Sequence, residues 1–228
     1  AEHLGTKHTE IVLSENDFFE AIPVVIRAIE SYDTTTVRAS VGNYLVAKYI
    51  SENSEAKVIF NGDGSDEVCG GYMYFHKAPT GEIFDQECHN LLDTIYTFDV
   101  LRSDKSISSN GLEPRTPFLD KEFVDMYMSI PLNYRYHAGN GQCEKYLLRK
   151  AFDKDNLLPK EVLWRTKEAF SDGVSSQKKA WFEIIGDKIH EKYRDRFNKP
   201  SSRDNLHNPP TTPEQRFYRY IFEQNYSN

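Results

Sequence analysis

The chain has 228 residues, 39% of them hydrophobic, which suffices for one globular domain that buries roughly 70% of its unfolded surface. Its 28 basic and 35 acidic residues give a net charge of −7, which argues against nucleic-acid binding because such proteins normally carry a positive stripe. Cys69, Cys88 and Cys143 form no C-x-x-C pair, so neither a disulfide framework nor a zinc site is predicted. No apolar run reaches the ~18 residues that span a bilayer. We therefore expect a cytoplasmic protein that binds neither nucleic acid nor membrane.

The first 80 residues alternate between helical and strand-like patterns. Ser14, followed by Asp17, predicts a capping box at the start of a helix. The polar, threonine-rich segment after that helix is typical of a loop. Strands separated by helices predict a parallel sheet with helical crossovers. In chain order, the predicted elements are a helix that ends at Gly5, a strand at residues 9–13, a helix at 14–31, a loop at 32–38, a helix at 39–52 and a buried strand at 57–60.

The loop after the strand at residues 57–60 is the best candidate for a functional site. In open α/β sheets, ligands bind at the carboxyl ends of the strands, where this loop begins. Gly62 and Gly64 lack a Cβ, so the backbone can adopt positive φ there and bring its N–H groups close to an anion. Asp66 and Glu67 supply oxygen ligands of the kind that Mg²⁺ accepts when it bridges nucleotide phosphates. The loop therefore predicts a site for phosphate and magnesium.

Standard nucleotide motifs fit this loop poorly. Glu67 stands where a dinucleotide fingerprint requires its third glycine, and no Gly-Lys-Ser/Thr phosphate loop occurs in the chain. An EF-hand is excluded because the ligand positions are out of register. A solvated acidic turn is the alternative interpretation.

Residues 81–228 have a different pattern, with little alternation of period two. A surface loop is expected at residues 198–213, which contain four prolines. The chain thus divides into an α/β part at residues 1–80 and a mainly helical part at 81–228, both within a single domain. The amphipathic stretches that predict helices are residues 84–101, 121–129, 145–152, 181–193 and 214–225.

Five blocks in this chain resemble, in the same order, signatures of the glutamine-dependent asparagine synthetases. The resemblance spans essentially the whole chain, and it implies a partial parallel sheet of the adenine-nucleotide alpha-hydrolase type. It also implies ATP and Mg²⁺ as cofactors. The blocks are YDTTTVRAS at residues 32–40, NGDGSDEVCGGYMYFHKAP at 61–79, RTPFLD at 115–120, EKYLLR at 144–149 and WRTKEAFSDG at 164–173.

The resemblance implies a two-step reaction and a role for individual residues. ATP and aspartate would give β-aspartyl-AMP and pyrophosphate, and ammonia released from glutamine would then displace AMP to give asparagine. The residues expected to be catalytic are Asp63, Asp66 and Lys145, with Asp66 as the metal ligand. The residues expected to bind ATP and pyrophosphate are Asn61, Gly62, Gly64, Ser65 and Lys145. The residues expected to face aspartate are Asp33, Thr35, Arg38, Arg115 and Asp120.

Each assignment has a structural alternative. Asp66 could cap a helix, and Lys145 could be an exposed helix residue beside Arg149. The segment around Asp33 could form a turn before a helix. Arg115 and Asp120 could form a structural ion pair. His76 and His137 have no second ligand at metal spacing, so we expect each to be either hydrogen-bonded or exposed.

The chain departs from the family pattern in two ways. It lacks both the Ser-Gly-Gly-x-Asp-Ser pyrophosphate loop and the amino-terminal nucleophilic Cys of the glutaminase domain, so we expect a fragment that performs no synthesis alone. Asp63 stands where the family has Glu, which shortens the reach of the carboxylate by roughly 1.3–1.5 Å. The expected partners are aspartate, ammonia, an upstream glutaminase domain and a second copy in a homodimer. The alternatives are a related adenylating amide- or lactam-forming enzyme and a non-catalytic binding relative.

Overall fold

The computed structural model describes residues 1–167, 179–200 and 208–226. The chain forms two compact units, and each unit combines segments that are distant in sequence. The first unit contains the described residues within 1–12, 60–100 and 115–168, and the second contains those within 13–59, 101–114 and 169–228. The assignment of the whole chain to one domain, with an α/β part at residues 1–80, stays a prediction.

Helices dominate the described residues. In the part of the chain that the structure describes, no helix is long and apolar enough to cross a membrane. The α-helices are α1 (Glu15–Ile29), α2 (Thr34–Asn53), α3 (Ser65–Cys69), α4 (Gly81–Thr94), α5 (Asp99–Ser108), α6 (Lys121–Ser129), α7 (Leu132–Arg135), α8 (Tyr146–Phe152), α9 (Lys160–Leu163), α10 (Trp181–Tyr193) and α11 (Pro213–Asn225). Short 3₁₀ turns lie at Met73–Lys77, Ile95–Thr97, Pro117–Leu119 and Arg194–Phe197.

Two short strands, β1 (Val58–Phe60) and β2 (Glu113–Arg115), pair with each other. The Glu113 N–H donates to the Lys57 carbonyl at 2.7 Å, and the Asn61 N–H donates to the Arg115 carbonyl at 3.0 Å. The partner numbers rise together, so the strands are parallel, and the long helical connection between them is what parallel pairing requires. The predicted fold class, a partial α/β structure followed by a mainly helical region, is confirmed.

The expectation that β1 is a buried strand is wrong. Val58 is 49% exposed and Phe60 is 78% exposed. An apolar run with β-branched residues predicts a strand, but it cannot show what covers the two faces of that strand. The residues of β1 therefore follow the predicted conformation and not the predicted burial.

The helices predicted within residues 81–228 are confirmed, with one difference. The pattern at residues 84–101 is divided between α4, a 3₁₀ turn and α5. The structure describes only part of the predicted loop at residues 198–213, because residues 201–207 lie outside the described residues.

Three predictions in the first 53 residues are wrong. Residues 1–5 form a turn and not the end of a helix, although Gly5 has the positive φ, +62°, that is common where helices end. Residues 9–13 form no strand, and Val12 is 87% exposed. The second helix begins at Thr34 and not at residue 39, because the Asp33 carboxylate accepts the Thr36 N–H at 2.7 Å and caps the helix there. Residues 34–38 of the segment predicted to be a loop therefore belong to α2.

The predicted capping box of α1 is confirmed. The Asp17 N–H donates to Ser14 Oγ at 3.2 Å, and the Ser14 N–H donates to Asp17 Oδ2 at 2.8 Å. The amphipathic face of α1 packs against α2, α10 and α11 in the core of the second unit. Phe19 of α1 stacks on Phe217 of α11 with the ring centroids 5.7 Å apart.

The core of the first unit consists of two small apolar clusters beside the loop that follows β1. One contains Val68, Cys69 and Tyr127, and the other contains Phe75, Phe84 and Cys88. Val68 and Cys69 belong to α3, so this short helix is anchored by its apolar residues while its first turn carries the polar ones. The loop thereby presents polar side chains from a fixed backbone.

Candidate functional site

The loop after β1 is shaped by glycines. Gly64 has a φ of +86° and precedes α3, and Gly70 has a φ of +62° and ends it. Positive φ is rarely adopted by residues with a Cβ. The predicted positive φ is therefore present at Gly64, whereas Gly62 has no positive φ.

Asp66 lies at the centre of a cluster of charged groups in the first unit. Lys145 Nζ lies 2.9 Å from Asp66 Oδ1, and Lys167 Nζ lies 2.8 Å from Asp66 Oδ2. Lys145 Nζ also donates to Ser65 Oγ at 2.8 Å. The structure thus brings together three residues that the sequence predicted for the site, Ser65, Asp66 and Lys145. We call these three residues and Lys167 the Asp66 cluster.

Lys167 was not assigned a role from the sequence. It lies 101 positions from Asp66, and no local pattern marks it as a partner of that carboxylate. The only available signal was its position in the block at residues 164–173, of which residues 168–173 lie outside the described residues.

The electrostatic balance of the cluster favours an anion. Burial acts to raise the pKa of the Asp66 carboxyl, but the Lys145 and Lys167 ammonium groups outweigh that effect and hold the pKa below its ordinary value. One carboxylate faces two ammonium groups, so the cluster carries a formal charge of +1. All three side chains are at most 23% exposed, so solvent screens this charge only partly.

The cluster as placed does not fit a free Mg²⁺ ion. Both oxygens of Asp66 already bind ammonium groups. Among the described residues there is no group of three or more His, Cys, Asp or Glu side chains that could hold a metal. The assignment of Asp66 as the metal ligand stays a prediction, and it would require both lysines to release the carboxylate.

Lys145 is held in an unusual backbone conformation. Its φ is +57°, in the left-handed region, at the position that precedes α8. This conformation costs a residue with a Cβ about 1–2 kcal/mol and persists where the surrounding structure enforces it. The alternative that Lys145 is an exposed helix residue beside Arg149 is wrong, because its ammonium contacts Ser65 and Asp66.

Asn61 and Asp63 bind each other. Asn61 Nδ2 donates to Asp63 Oδ2 at 3.1 Å, and the Asp63 N–H donates to Asn61 Oδ1 at 3.2 Å. These bonds fix the direction of the Asp63 carboxylate. Gly62 between them is exposed, and its backbone is open to a ligand. The ATP-binding and catalytic roles of these residues stay predictions.

Arg115 and Asp120 have structural contacts in the first unit. The Arg115 carbonyl accepts the Asn61 N–H, and Asp120 Oδ1 accepts the Phe123 N–H at 3.1 Å as the cap of α6. Both residues are exposed. Their predicted role in binding aspartate stays a prediction.

The other predicted aspartate-binding residues, Asp33, Thr35 and Arg38, belong to the second unit. Arg38 Nε donates to Glu214 Oε1 at 2.8 Å, and Arg38 Nη2 pairs with Glu214 Oε2. The hydrogen bonds to Glu214 raise the pKa of Arg38, although burial opposes them. Thr35, Arg38 and Glu214 line an open cavity of about 460 Å³. The guanidinium is therefore already neutralised, and a substrate carboxylate would have to compete with Glu214 for it.

His137 contradicts the expectation that it is either hydrogen-bonded or exposed. It is 1% exposed, and within the described part of the chain neither ring nitrogen has a hydrogen-bond partner. The rings of Phe84 and His76 pack against it edge-on, with centroids at 5.2 and 5.1 Å. Burial, assisted by His76, lowers the pKa of His137 to about 4, although the Glu144 carboxylate opposes this. The ring is therefore neutral near pH 7.

This buried ring predicts a loss of stability in acid. The folded-state pKa lies below the unfolded value of about 6.5, so the unfolded chain takes up the proton first as the pH falls. The contribution is fully present above pH 6.5 and is lost as the pH falls through 4. We expect the His137 ring to account for about 3 kcal/mol of the decrease in unfolding free energy as the pH falls from above 6.5 to below 4. Urea unfolding at a series of pH values will measure this decrease.

The control for this experiment is the exposed His89. His137→Leu should flatten the pH dependence, whereas His89→Leu should leave it as in the parent chain, because the His89 side chain is 54% exposed. If the unfolding free energy depends on pH equally in the parent chain and in His137→Leu, the prediction is wrong.

Comparison with known proteins gives one consistent result. A family model described as asparagine synthase matches residues 1–84 and 79–224. A Gallus gallus protein named asparagine synthetase (glutamine-hydrolyzing) is 48% identical over 226 residues, which cover 99% of this chain and 40% of that relative. Proteins of the same name from Mus musculus and Homo sapiens are 47% and 46% identical over 226 residues. The chain thus spans about 40% of the length of the curated relatives it matches.

Proposed function

Because the chain belongs to the asparagine synthase family, we propose that it forms part of the synthetase domain of an ATP-dependent enzyme that converts aspartate to asparagine. The observation that carries this proposal is the positively charged Asp66 cluster in the loop after β1. The names of the relatives favour this reaction over the related amide- or lactam-forming reactions. The 48% identity to a named asparagine synthetase extends over 99% of the chain, which favours a catalytic protein over a non-catalytic relative.

The first step forms β-aspartyl-AMP and releases pyrophosphate. A carboxylate of aspartate attacks the α-phosphate of ATP, so negative charges approach one another and charge develops on the leaving pyrophosphate. Preorganised cations lower the free energy of such a transition state. Lys145 and Lys167 supply two ammonium groups at one place, and Ser65 fixes the direction of the first of them. We propose that the two ammonium groups leave Asp66 and bind the phosphate oxygens when ATP is bound.

The second step joins ammonia to the activated aspartyl group and releases AMP. Ammonia must lose a proton as it attacks, and a carboxylate within hydrogen-bond reach can accept it. We assign this role to Asp63, whose orientation is fixed by Asn61. The shorter side chain reaches less far than the family's Glu, so we expect a slower second step than in a variant with Asp63→Glu.

Several parts of the proposal concern the longer protein. The ammonia would come from glutamine through a glutaminase domain outside this chain, and aspartate would be the acceptor. Mg²⁺ would accompany ATP as a phosphate-bound ion, because the Asp66 cluster as placed has no free carboxylate oxygen to offer it. The homodimer and the cytoplasmic location stay predictions.

The proposal predicts that the 228-residue chain binds pyrophosphate. Lys145→Met should weaken this binding about tenfold or more, because a charge-assisted hydrogen bond contributes about 1.5–3 kcal/mol. Isothermal titration calorimetry with sodium pyrophosphate will measure the dissociation constants. Methionine keeps an unbranched side chain as far as the ε position and removes the ammonium group, with its charge and its hydrogen-bond donors.

A second lysine of the same unit provides the control. Lys150 lies on α8, its side chain is 56% exposed, and its ammonium binds Asp153. Lys150→Met should bind pyrophosphate as the parent chain does. Absence of binding by the parent chain, or equal weakening by both substitutions, would refute the proposed role of the Asp66 cluster.

A further inference from the structure

Arg149 connects the two segments that carry the lysines of the Asp66 cluster. It lies on α8, and its side chain is 14% exposed. Its Nη2 donates to Glu144 Oε1 at 2.6 Å, and its Nε donates to the Glu144 carbonyl at 2.9 Å. Both bonds hold the residue that immediately precedes Lys145.

The remaining described contacts of this guanidinium reach the second segment. Nη1 donates to the Leu163 carbonyl at 2.6 Å and to the Arg165 carbonyl at 2.9 Å. Residue 165 lies two positions before Lys167. One planar group with fixed donor directions therefore binds both lysine-bearing segments at once.

The surroundings of Arg149 make this connection rigid. Glu144 is 3% exposed, and its second oxygen lies 3.8 Å from His76 Nε2. Leu163 is 7% exposed. Tyr146 and Trp164, one from each segment, pack together with ring centroids 5.7 Å apart. A buried charge pair and an aromatic contact thus fix the same two segments that the guanidinium joins.

We propose that Arg149 is a positioning residue that holds Lys145 and Lys167 together at Asp66, and so prepares both ammonium groups for one phosphate ligand. Arg149 itself touches neither Asp66 nor the lysine ammonium groups in the described contacts; it acts through the backbone of residues 144, 163 and 165. The inference rests on the proposed function only for the identity of the ligand.

The proposal predicts a joint change in the chemical reactivity of the two lysines. Arg149→Lys keeps a positive charge for Glu144 but cannot donate to three carbonyl oxygens in one plane. We expect acylation of Lys145 and Lys167 by an N-hydroxysuccinimide ester, followed by mass spectrometry, to become at least about fivefold faster at both lysines, because each leaves its ion pair. The exposed Lys150 serves as the internal reference for the rate.

A second arginine separates positioning from general stabilisation. Arg135 is 5% exposed in the same unit, and it binds Asp85 and the Ile130 carbonyl instead of a lysine-bearing segment. Arg135→Lys should lower the stability without changing the acylation rates of Lys145 and Lys167 relative to Lys150. Equal increases in both variants, or an increase at only one lysine in Arg149→Lys, would overturn the proposal.

The outcome does not depend on pyrophosphate binding. If the parent chain fails to bind pyrophosphate, the proposed function fails, and the acylation rates still decide the role of Arg149. If Arg149→Lys does not fold, the double variant Arg149→Met with Glu144→Gln removes the pair without leaving a buried charge. Failure of that variant to fold, or unchanged lysine rates in it, would show that Arg149 stabilises the unit and does not position the lysines.

Discussion

Replacement of Gly70 by alanine is expected to lower the free energy of unfolding by about 2–5 kcal/mol. The φ of +62° alone costs a residue with a Cβ about 1–2 kcal/mol. The new Cβ would also lie 2.3 Å from Cζ of Phe84, whose ring is 1% exposed. Overpacking of this kind adds about 1–3 kcal/mol, because a buried ring cannot move without displacing its neighbours. Urea unfolding followed by circular dichroism will measure the sum.

The aromatic surroundings of Phe84 explain why it cannot give way. Phe75 and Tyr136 pack against its ring with centroids at 4.9 and 5.6 Å, and His137 packs edge-on against it. Gly141 of the same unit has a φ of +64°, and no described atom lies within 4 Å of the Cβ it would gain. Gly141→Ala should therefore lower the free energy of unfolding by only about 1–2 kcal/mol, the cost of a positive φ for a residue with a Cβ. Equal losses from both substitutions would contradict the packing argument.

Local sequence signals predicted the elements that depend on local interactions. The capping box of α1 involves residues three positions apart, and the amphipathic helices follow a period that the sequence displays directly. The start of α2 was missed because threonine has a low helix propensity, whereas the Asp33 cap and the buried Val37 favour the helix there. The predicted strand at residues 9–13 failed because a strand needs a partner, which no single segment specifies.

The site was predicted only as far as individual residues could be recognised. The resemblance identified Ser65, Asp66 and Lys145, and the structure places them together. It did not show that Lys167 completes the cluster. Arg38 and Glu214 are 176 positions apart, so no sequence pattern indicated that the expected substrate-binding arginine already has a carboxylate partner. Partner choice over such separations depends on tertiary packing, which local patterns do not encode.

Replacement of the neighbouring Gly71 by alanine is expected to preserve the fold and to weaken pyrophosphate binding about tenfold or more. Gly71 has no positive φ, so an alanine can adopt its backbone conformation. Its Cβ would lie 2.0 Å from Asp66 Oδ1 and 2.2 Å from Lys145 Cε. Both atoms lie near the ends of side chains that can rotate away, which keeps the cost to stability small. The same rotation moves the Lys145 ammonium away from the place where it would meet the phosphate, so the charge-assisted hydrogen bond of about 1.5–3 kcal/mol that it would donate to pyrophosphate is lost.

The two adjacent glycines therefore separate stability from binding. Titration calorimetry and urea unfolding on both alanine variants should give a stable Gly71→Ala that binds pyrophosphate poorly and a destabilised Gly70→Ala. The cause is the kind of neighbour that each new methyl group meets, a buried ring at Gly70 and two polar side chains at Gly71. If Gly71→Ala binds pyrophosphate within twofold of the parent chain, the geometry of the Asp66 cluster does not determine phosphate affinity. In that case the positive charge of the two lysines would suffice for binding without their fixed positions, and the close contact of Gly71 with the cluster would matter only for packing.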